Sequence, residues 1–223
     1  MKKYQMAYLF NSYRLLFLSL FSIGLLFFRI EISGQFTFLF LLWNLFLAWI
    51  PLWISRYFIR QKKIQSPIFS LFVMTSWLLF LPNAPYILTD FLHLHQRYGV
   101  PMWFDIMLIF SFALTGIFIY IETCNDVFAF IKNKIPSSIF WMLSPLLSFL
   151  VAFGIYLGRF LRWNSWDILQ DTLGLTFDVL HRFVHPEMHP RTWGITLILG
   201  SLLWLLYAIQ QQNKEKSVSL YEN

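Results

Sequence analysis

The chain carries a single cysteine, Cys124, so it can close no intramolecular disulfide, and no paired-cysteine metal motif exists. Charge is scarce too. Asp, Glu, Lys and Arg make up 13% of the residues, about half the share found in an ordinary soluble domain. A surface wetted on every side cannot be covered by so few charges. A glycine-rich phosphate loop, an HExxH pair, a Ser-His-Asp order and a nucleotide fingerprint are all missing, which leaves no recognisable catalytic signature. There is also no internal repeat, no low-complexity tract and no linker long enough to separate domains, so residues 1–212 are expected to form one membrane domain followed by a short charged tail, 213–223.

Apolar residues are abundant: 58% are hydrophobic and 21% aromatic, and the mean hydropathy is +0.59. Their distribution decides what they mean. A bilayer core about 30 Å thick needs roughly 20 mostly apolar residues in helical form. Runs of that order extend from Tyr13 to Ile30, Phe36 to Ile54, Ile68 to Leu88, Met102 to Ile121, Ile139 to Leu157 and Thr192 to Ile209. The expected fold is therefore all-α, a polytopic transmembrane bundle of about six spans. Lys2, Lys3 and Arg14 before the first run resemble a secretory n-region, but no small-x-small cleavage site follows, so a retained signal anchor is expected.

The net charge of +6 is to be read through the placement of the basic residues rather than as a nucleic-acid footprint; no nucleic-acid partner is expected. With six spans, one side gathers the terminal lysines, the loop from Arg56 to Lys63, Lys132 and Lys134. The other side gathers Arg29, Arg97, Arg159, Arg162, Arg182 and Arg191. The denser side faces the cytoplasm by the positive-inside rule, which puts both termini there.

Between the fifth and sixth runs, Trp163, Trp166, Leu169, Leu173, Phe177, Leu180 and Val184 recur every three or four positions. That is a helical stripe, expected from Trp163 to Val184 as an amphipathic helix in the outer interface. Asn164 followed by Asp167 is an N-terminal capping pattern, and Pro186 ends the run.

Several residues could carry chemistry. Pro82 and Pro85 break the third run, and the freed carbonyls and the Asn83 amide must turn toward protein or a cavity, because lipid offers them no partner. Asp90 follows at the outer end of that run, with His93 and His95 close behind. Asp105 lies about one turn inside the fourth span, where an ionisable group needs a partner or a cavity; it could equally cap the helix or reach the headgroups. Glu122, Asn125 and Asp126 at the other end of that span are expected to be interfacial. After the fifth span, Arg159, Arg162, Asn164 and Asp167 stand among tryptophans. The two guanidinium forks suit an anionic lipid headgroup or another phosphate-bearing ligand, or an ion pair with Asp90 or Asp105. His181, His185 and His189 recur every four residues but span Pro186, so no metal site is assigned to them or to His93 and His95, and no cofactor is expected.

The segments Pro82-Asn-Ala-Pro-Tyr-Ile-Leu-Thr-Asp-Phe-Leu-His-Leu94 and Tyr156-Leu-Gly-Arg-Phe-Leu-Arg-Trp-Asn-Ser-Trp-Asp167, with the Trp103-Phe104-Asp105 start of the fourth span, resemble a bacterial integral-membrane family. It is catalogued as domain of unknown function thirteen sixty-one. The resemblance covers roughly the third to fifth spans; the stretch Asp171 to His189 is not part of it. It implies a bacterial multi-pass protein of the cytoplasmic membrane and brings no activity, substrate or catalytic residue. From the residues themselves, Asn83, Asp90, Asp105, Arg159, Arg162, Asn164 and Asp167 are expected to form one polar cluster at the extracytoplasmic mouth of the bundle. Such a cluster would serve a binding or structural membrane module. A carrier for a small or lipidic solute, or an enzyme acting on a lipid or envelope precursor at the outer leaflet, would use the same residues.

Overall fold

Each long apolar run folds as a helix, because a helix satisfies its backbone hydrogen bonds within one segment where lipid can satisfy none. The computed structural model describes residues 2–60, 66–95, 99–132 and 135–222, with residues 2–11, 60, 137, 141 and 213–222 given by backbone alone. Six helical stretches are long and apolar enough to cross a membrane: Ser12–Ser33, Phe40–Ile59, Pro67–His93, Met102–Ile131, Ser138–Phe160 and Pro190–Gln212. They correspond one for one to the expected spans, and no strand occurs among the described residues. The chain is an all-helical, multi-pass membrane protein. Of the charges behind the expected orientation, Lys62, Lys63, Arg97 and Lys134 lie outside the described residues.

By contact the chain divides into two compact units, Met1–Phe130 and Ile131–Asn223. The first contains α1 (Lys2–Ser33), α2 (Phe40–Arg60), α3 (Pro67–Phe80), the single turn α4 (Asn83–Tyr86) with a 3-10 helix Ile87–His93, and nearly all of α5 (Met102–Ile131). The most buried of these is α5, which carries Leu108, Ile109, Phe112, Ala113 and Ile119 in the core. Lipid tails are as apolar as leucine, so close approach and polar bonds must hold such helices together. Both are present. Gly116 of α5 lies so near α4 that a Cβ there would run into the Ala84 carbonyl oxygen. The Trp77 indole donates to the Thr123 hydroxyl at 2.9 Å, Trp49 donates to Ser19 at 3.1 Å, and the Ser22 and Thr115 hydroxyls meet at 3.4 Å.

The third span breaks where the prolines require it. Helix α3 stops at Phe80, two turn residues follow, and the chain restarts as α4 before tightening into the 3-10 helix. The Asn83 side-chain amide donates to the Phe80 carbonyl at 3.0 Å, so a side chain supplies a donor at the interruption. Ala84 and Pro85 are buried, with α4 packed against α2. The break is thus folded into protein rather than left against lipid.

The second unit contains α6 (Ser137–Phe160), α7 (Asp167–Gln170), α8 (Thr172–Val184), a 3-10 turn Pro186–Met188 and α9 (Pro190–Glu222). Its core is the α6–α9 pair, in which Phe153 stacks on Trp193 with ring centroids 6.0 Å apart and Phe149 covers Gly200. The amphipathic stretch between the fifth and sixth spans is present, but not as one helix. It breaks at Asp171, whose carboxylate accepts from the Gly174 backbone N–H at 2.9 Å and so starts α8 afresh. The apolar stripe of α8 is exposed, Leu173 at 85% and Phe177 at 68%, whereas Arg182 on the other side is buried. That is the inverse of a helix on a soluble protein and suits one whose apolar face meets a bilayer.

Candidate functional site

The polar cluster expected from the sequence draws on both units: Asn83, Asp90 and Asp105 belong to the first, and Arg159, Arg162, Asn164 and Asp167 to the second.

In the first unit, chain direction brings the end of α1, the start of α2, the 3-10 helix and the start of α5 to one end of the antiparallel spans. Arg29 sits about one turn before the end of α1, and Asp105 occupies the first turn of α5. They form a two-pronged ion pair: Arg29 Nε donates to Asp105 Oδ1 at 2.8 Å and Nη2 to Oδ2 at 3.4 Å. The remaining guanidinium nitrogen, Nη1, donates to the Ser33 hydroxyl at 3.2 Å and the Gln35 carbonyl at 3.3 Å. The guanidinium also lies over the Phe38 ring, 4.7 Å from its centroid. Both side chains are removed from solvent, at 0% and 1% exposure. Each charge stands at the helix end whose dipole favours it, the cation near a C-terminus and the anion near an N-terminus. The aspartate is neither a helix cap alone nor a group reaching for headgroups: it is half of a buried pair.

Asp90 is also fully buried, and its Oδ2 accepts from the Asn44 side-chain amide of α2 at 2.8 Å. His93 packs edge-on against Phe40, and His95 is exposed. Asn44 thus bonds to Asp90, and Arg29 to Asp105.

The opposite end of this unit carries polar residues expected to be interfacial that are in fact buried, Glu122 at 9% exposure and Asp126 at 3%. Asp126 Oδ2 lies 3.6 Å from Arg56 Nε and 3.3 Å from the Ser55 hydroxyl, while Arg56 Nη1 donates to Ser12 at 2.8 Å. The physical reason is α2, which runs alongside this end of α5 and sets Ser55 and Arg56 against Asp126.

In the second unit, Arg162 has a positive φ of 65°. The Leu157 carbonyl accepts from Leu161 N–H at 3.2 Å and from Trp163 N–H at 3.1 Å across it, so Arg162 occupies the left-handed position that closes α6. Glycine usually fills that position, as Gly34 does after α1 with a φ of 62°. Asn164 does not cap a helix: α7 starts at Asp167 after Trp166 with no side-chain cap, and Asp167 Oδ2 instead accepts from the Asn164 backbone N–H at 2.6 Å and from its side chain at 3.1 Å. Asp178 accepts from the Trp163 indole at 2.8 Å and pairs with Arg182 at 3.0 Å. His181 Nδ1 and His189 Nε2 are 2.8 Å apart. Arg191 covers the Phe160 ring at 4.4 Å. Among the described residues, no three His, Cys, Asp or Glu side chains come close enough to share a metal ion.

Residues 43–206 match the family described as "Protein of unknown function (DUF1361)". The chain belongs to that family. All seven residues of the expected cluster fall within the DUF1361 match, as does Asn44, and so does the stretch Asp171 to His189 that the resemblance left out. Arg29 falls before it. No curated protein and no solved structure matches the chain.

Sequence reasoning overlooked Arg29, Asn44 and the Arg56–Asp126 pair. A signal for Arg29 existed: it and Asp105 are opposite charges about one turn inside the same-side ends of two spans, a depth at which each needs a counter-ion. Asn44 had no comparable signal, because one amide near a helix start is unremarkable.

Proposed function

We propose that this DUF1361 protein is a binding or structural module of a bacterial cytoplasmic membrane, with both termini in the cytoplasm, in which extracytoplasmic polar residues fix how the spans pack. One membrane domain, residues 1–212, and a charged tail, 213–223, complete this reading. The observation that carries it is the Arg29 guanidinium, all three of whose nitrogens already donate to protein oxygens while an aromatic ring lies against it. A phosphate- or carboxylate-binding arginine keeps donors free for its ligand; this one makes four hydrogen bonds within the fold from its five N–H groups. Cysteines placed at His95 and His185 test the orientation. Labelling by a membrane-impermeant maleimide in intact cells supports it, and labelling only after permeabilisation overturns it.

A second reading is an anionic lipid headgroup, or another phosphate-bearing ligand, held by Arg159 and Arg162. One feature favours it: Arg162 is exposed and holds a charged side chain at a backbone position that glycine would occupy at lower cost. In nanodiscs this reading requires thermal stability to rise with anionic lipid and the rise to vanish in Arg162→Gln and Arg159→Gln. A carrier or an outer-leaflet enzyme would draw on the same residues, supported only by the broken third span.

A further inference from the structure

We propose that His181 and His189 form an acid-sensitive clasp that holds the C-terminal end of amphipathic helix α8 to the start of the last span and opens when both imidazoles are protonated. His181 Nδ1 and His189 Nε2 are 2.8 Å apart, a true hydrogen bond joining the last turn of α8 to the residue just before Pro190 of α9. A hydrogen bond between imidazoles needs one N–H and one lone pair. The pair therefore tolerates one added proton, shared across the contact, but not two: the second converts acceptor into donor and sets two cations against each other.

The surroundings oppose that second proton. His189 is held below the ordinary histidine value of 6.5, first by burial, then by the positive charges of Arg182 and His181; Asp178 and Glu187 pull the other way without prevailing. Asp178 is already engaged with Arg182 at 3.0 Å and the Trp163 indole at 2.8 Å, and Glu187 lies 3.4 Å from His185. His185 adds a third imidazole, its ring centroid 4.9 Å from that of His181. Phe177 packs on the His181 ring, Trp193 of α9 and Phe153 of α6 pack on Phe183, and the charged Arg191 of α9 lies over the Phe160 ring.

A depressed histidine stabilises the closed form fully above its unfolded value and loses that contribution as pH falls through its folded value. The clasp is thus intact at neutral pH and still closed at the ordinary histidine value of 6.5, and it is released only at lower pH, where the second proton enters. The apolar stripe of α8 is exposed, and the C-terminal turn of α8 is otherwise tied to α9 by the Trp193 indole donating to the Arg182 carbonyl at 3.2 Å and by the Phe183–Trp193 ring contact.

The test uses the full chain in nanodiscs, with a bimane label on Val184→Cys, Cys124 being buried and left in place. Trp193 quenches the label while the clasp is closed. Titration from pH 8 to 4.5 is expected to leave quenching constant down through the ordinary histidine value of 6.5 and to lose it only at lower pH. H189Q, or H181Q should the first fail to fold, keeps a hydrogen-bonding partner that accepts from either imidazole form; quenching should then persist throughout. Constant quenching in the parent protein, or the same loss in the glutamine variant, overturns the proposal.

Discussion

Arg29 and Asp105 come from the ends of two different spans and meet as a two-pronged ion pair from which water is excluded, 2.8 Å from Nε to Oδ1. Desolvating two charges costs several kcal/mol each, and their attraction offsets it only when the remaining donors are also satisfied. Ser33, the last residue of α1, and Gln35 in the turn that follows accept from Nη1, and the Phe38 ring of the same turn covers the guanidinium. The pair thus locks α1, the connection after it and α5 into one arrangement at one end of the first unit.

The contact between Asp90 and Asn44 makes a similar demand on α2 and the 3-10 helix. Replacing Asn44 with leucine keeps the branched skeleton but removes a donor to a buried carboxyl, which is expected to cost about 1–3 kcal/mol. Denaturation of the variant in detergent reads this directly, and Asn44→Asp should be worse still because it sets two carboxyls together.

Gly116 makes the close approach of α5 to the broken third span possible. Gly116→Ala has no flexible side chain to push aside, only the Ala84 backbone carbonyl, so the helices must part. A loss of about 1–3 kcal/mol is expected, and Trp77 fluorescence should change with it, because the Trp77–Thr123 bond crosses the same contact. Gly24, with open space around it, serves as the neutral comparison.

The left-handed backbone at Arg162 is strained for any residue with a Cβ. Arg162→Gly should raise the stability of the second unit by about 1 kcal/mol if the side chain serves only the fold. Thermal denaturation in zwitterionic lipid measures the backbone effect alone. In anionic lipid the same variant separates a headgroup contact from it, since a lost contact would cancel the gain.

The six spans and the break in the third were legible because apolar length and proline act locally. Pro82 and Pro85 remove donors whatever surrounds them, and the helix stops at Phe80 as that requires. Pairing was not legible, because which faces of α1 and α5 meet depends on packing between residues 76 positions apart. Asp171 broke an expected continuous helix because its side chain competes for a backbone N–H, an outcome the apolar periodicity on either side conceals. The left-handed turn at Arg162 escaped notice because glycine, its usual marker, is replaced by a residue that suggested phosphate instead. Asp126 was misjudged because burial at a helix end reflects what packs beside it, here α2 carrying Ser55 and Arg56.

The most direct test of the structural account is a mutant cycle on the ion pair: Arg29→Met, Asp105→Leu and the double variant, compared by thermal denaturation in nanodiscs. Each single variant leaves one charge buried without its partner and is expected to lose about 3–5 kcal/mol. The double variant replaces both charges by apolar side chains and should recover most of that loss. Single variants as stable as the parent, or a double variant no better than either, would contradict a packing role for the pair and return Asp105 to the candidates for ligand binding.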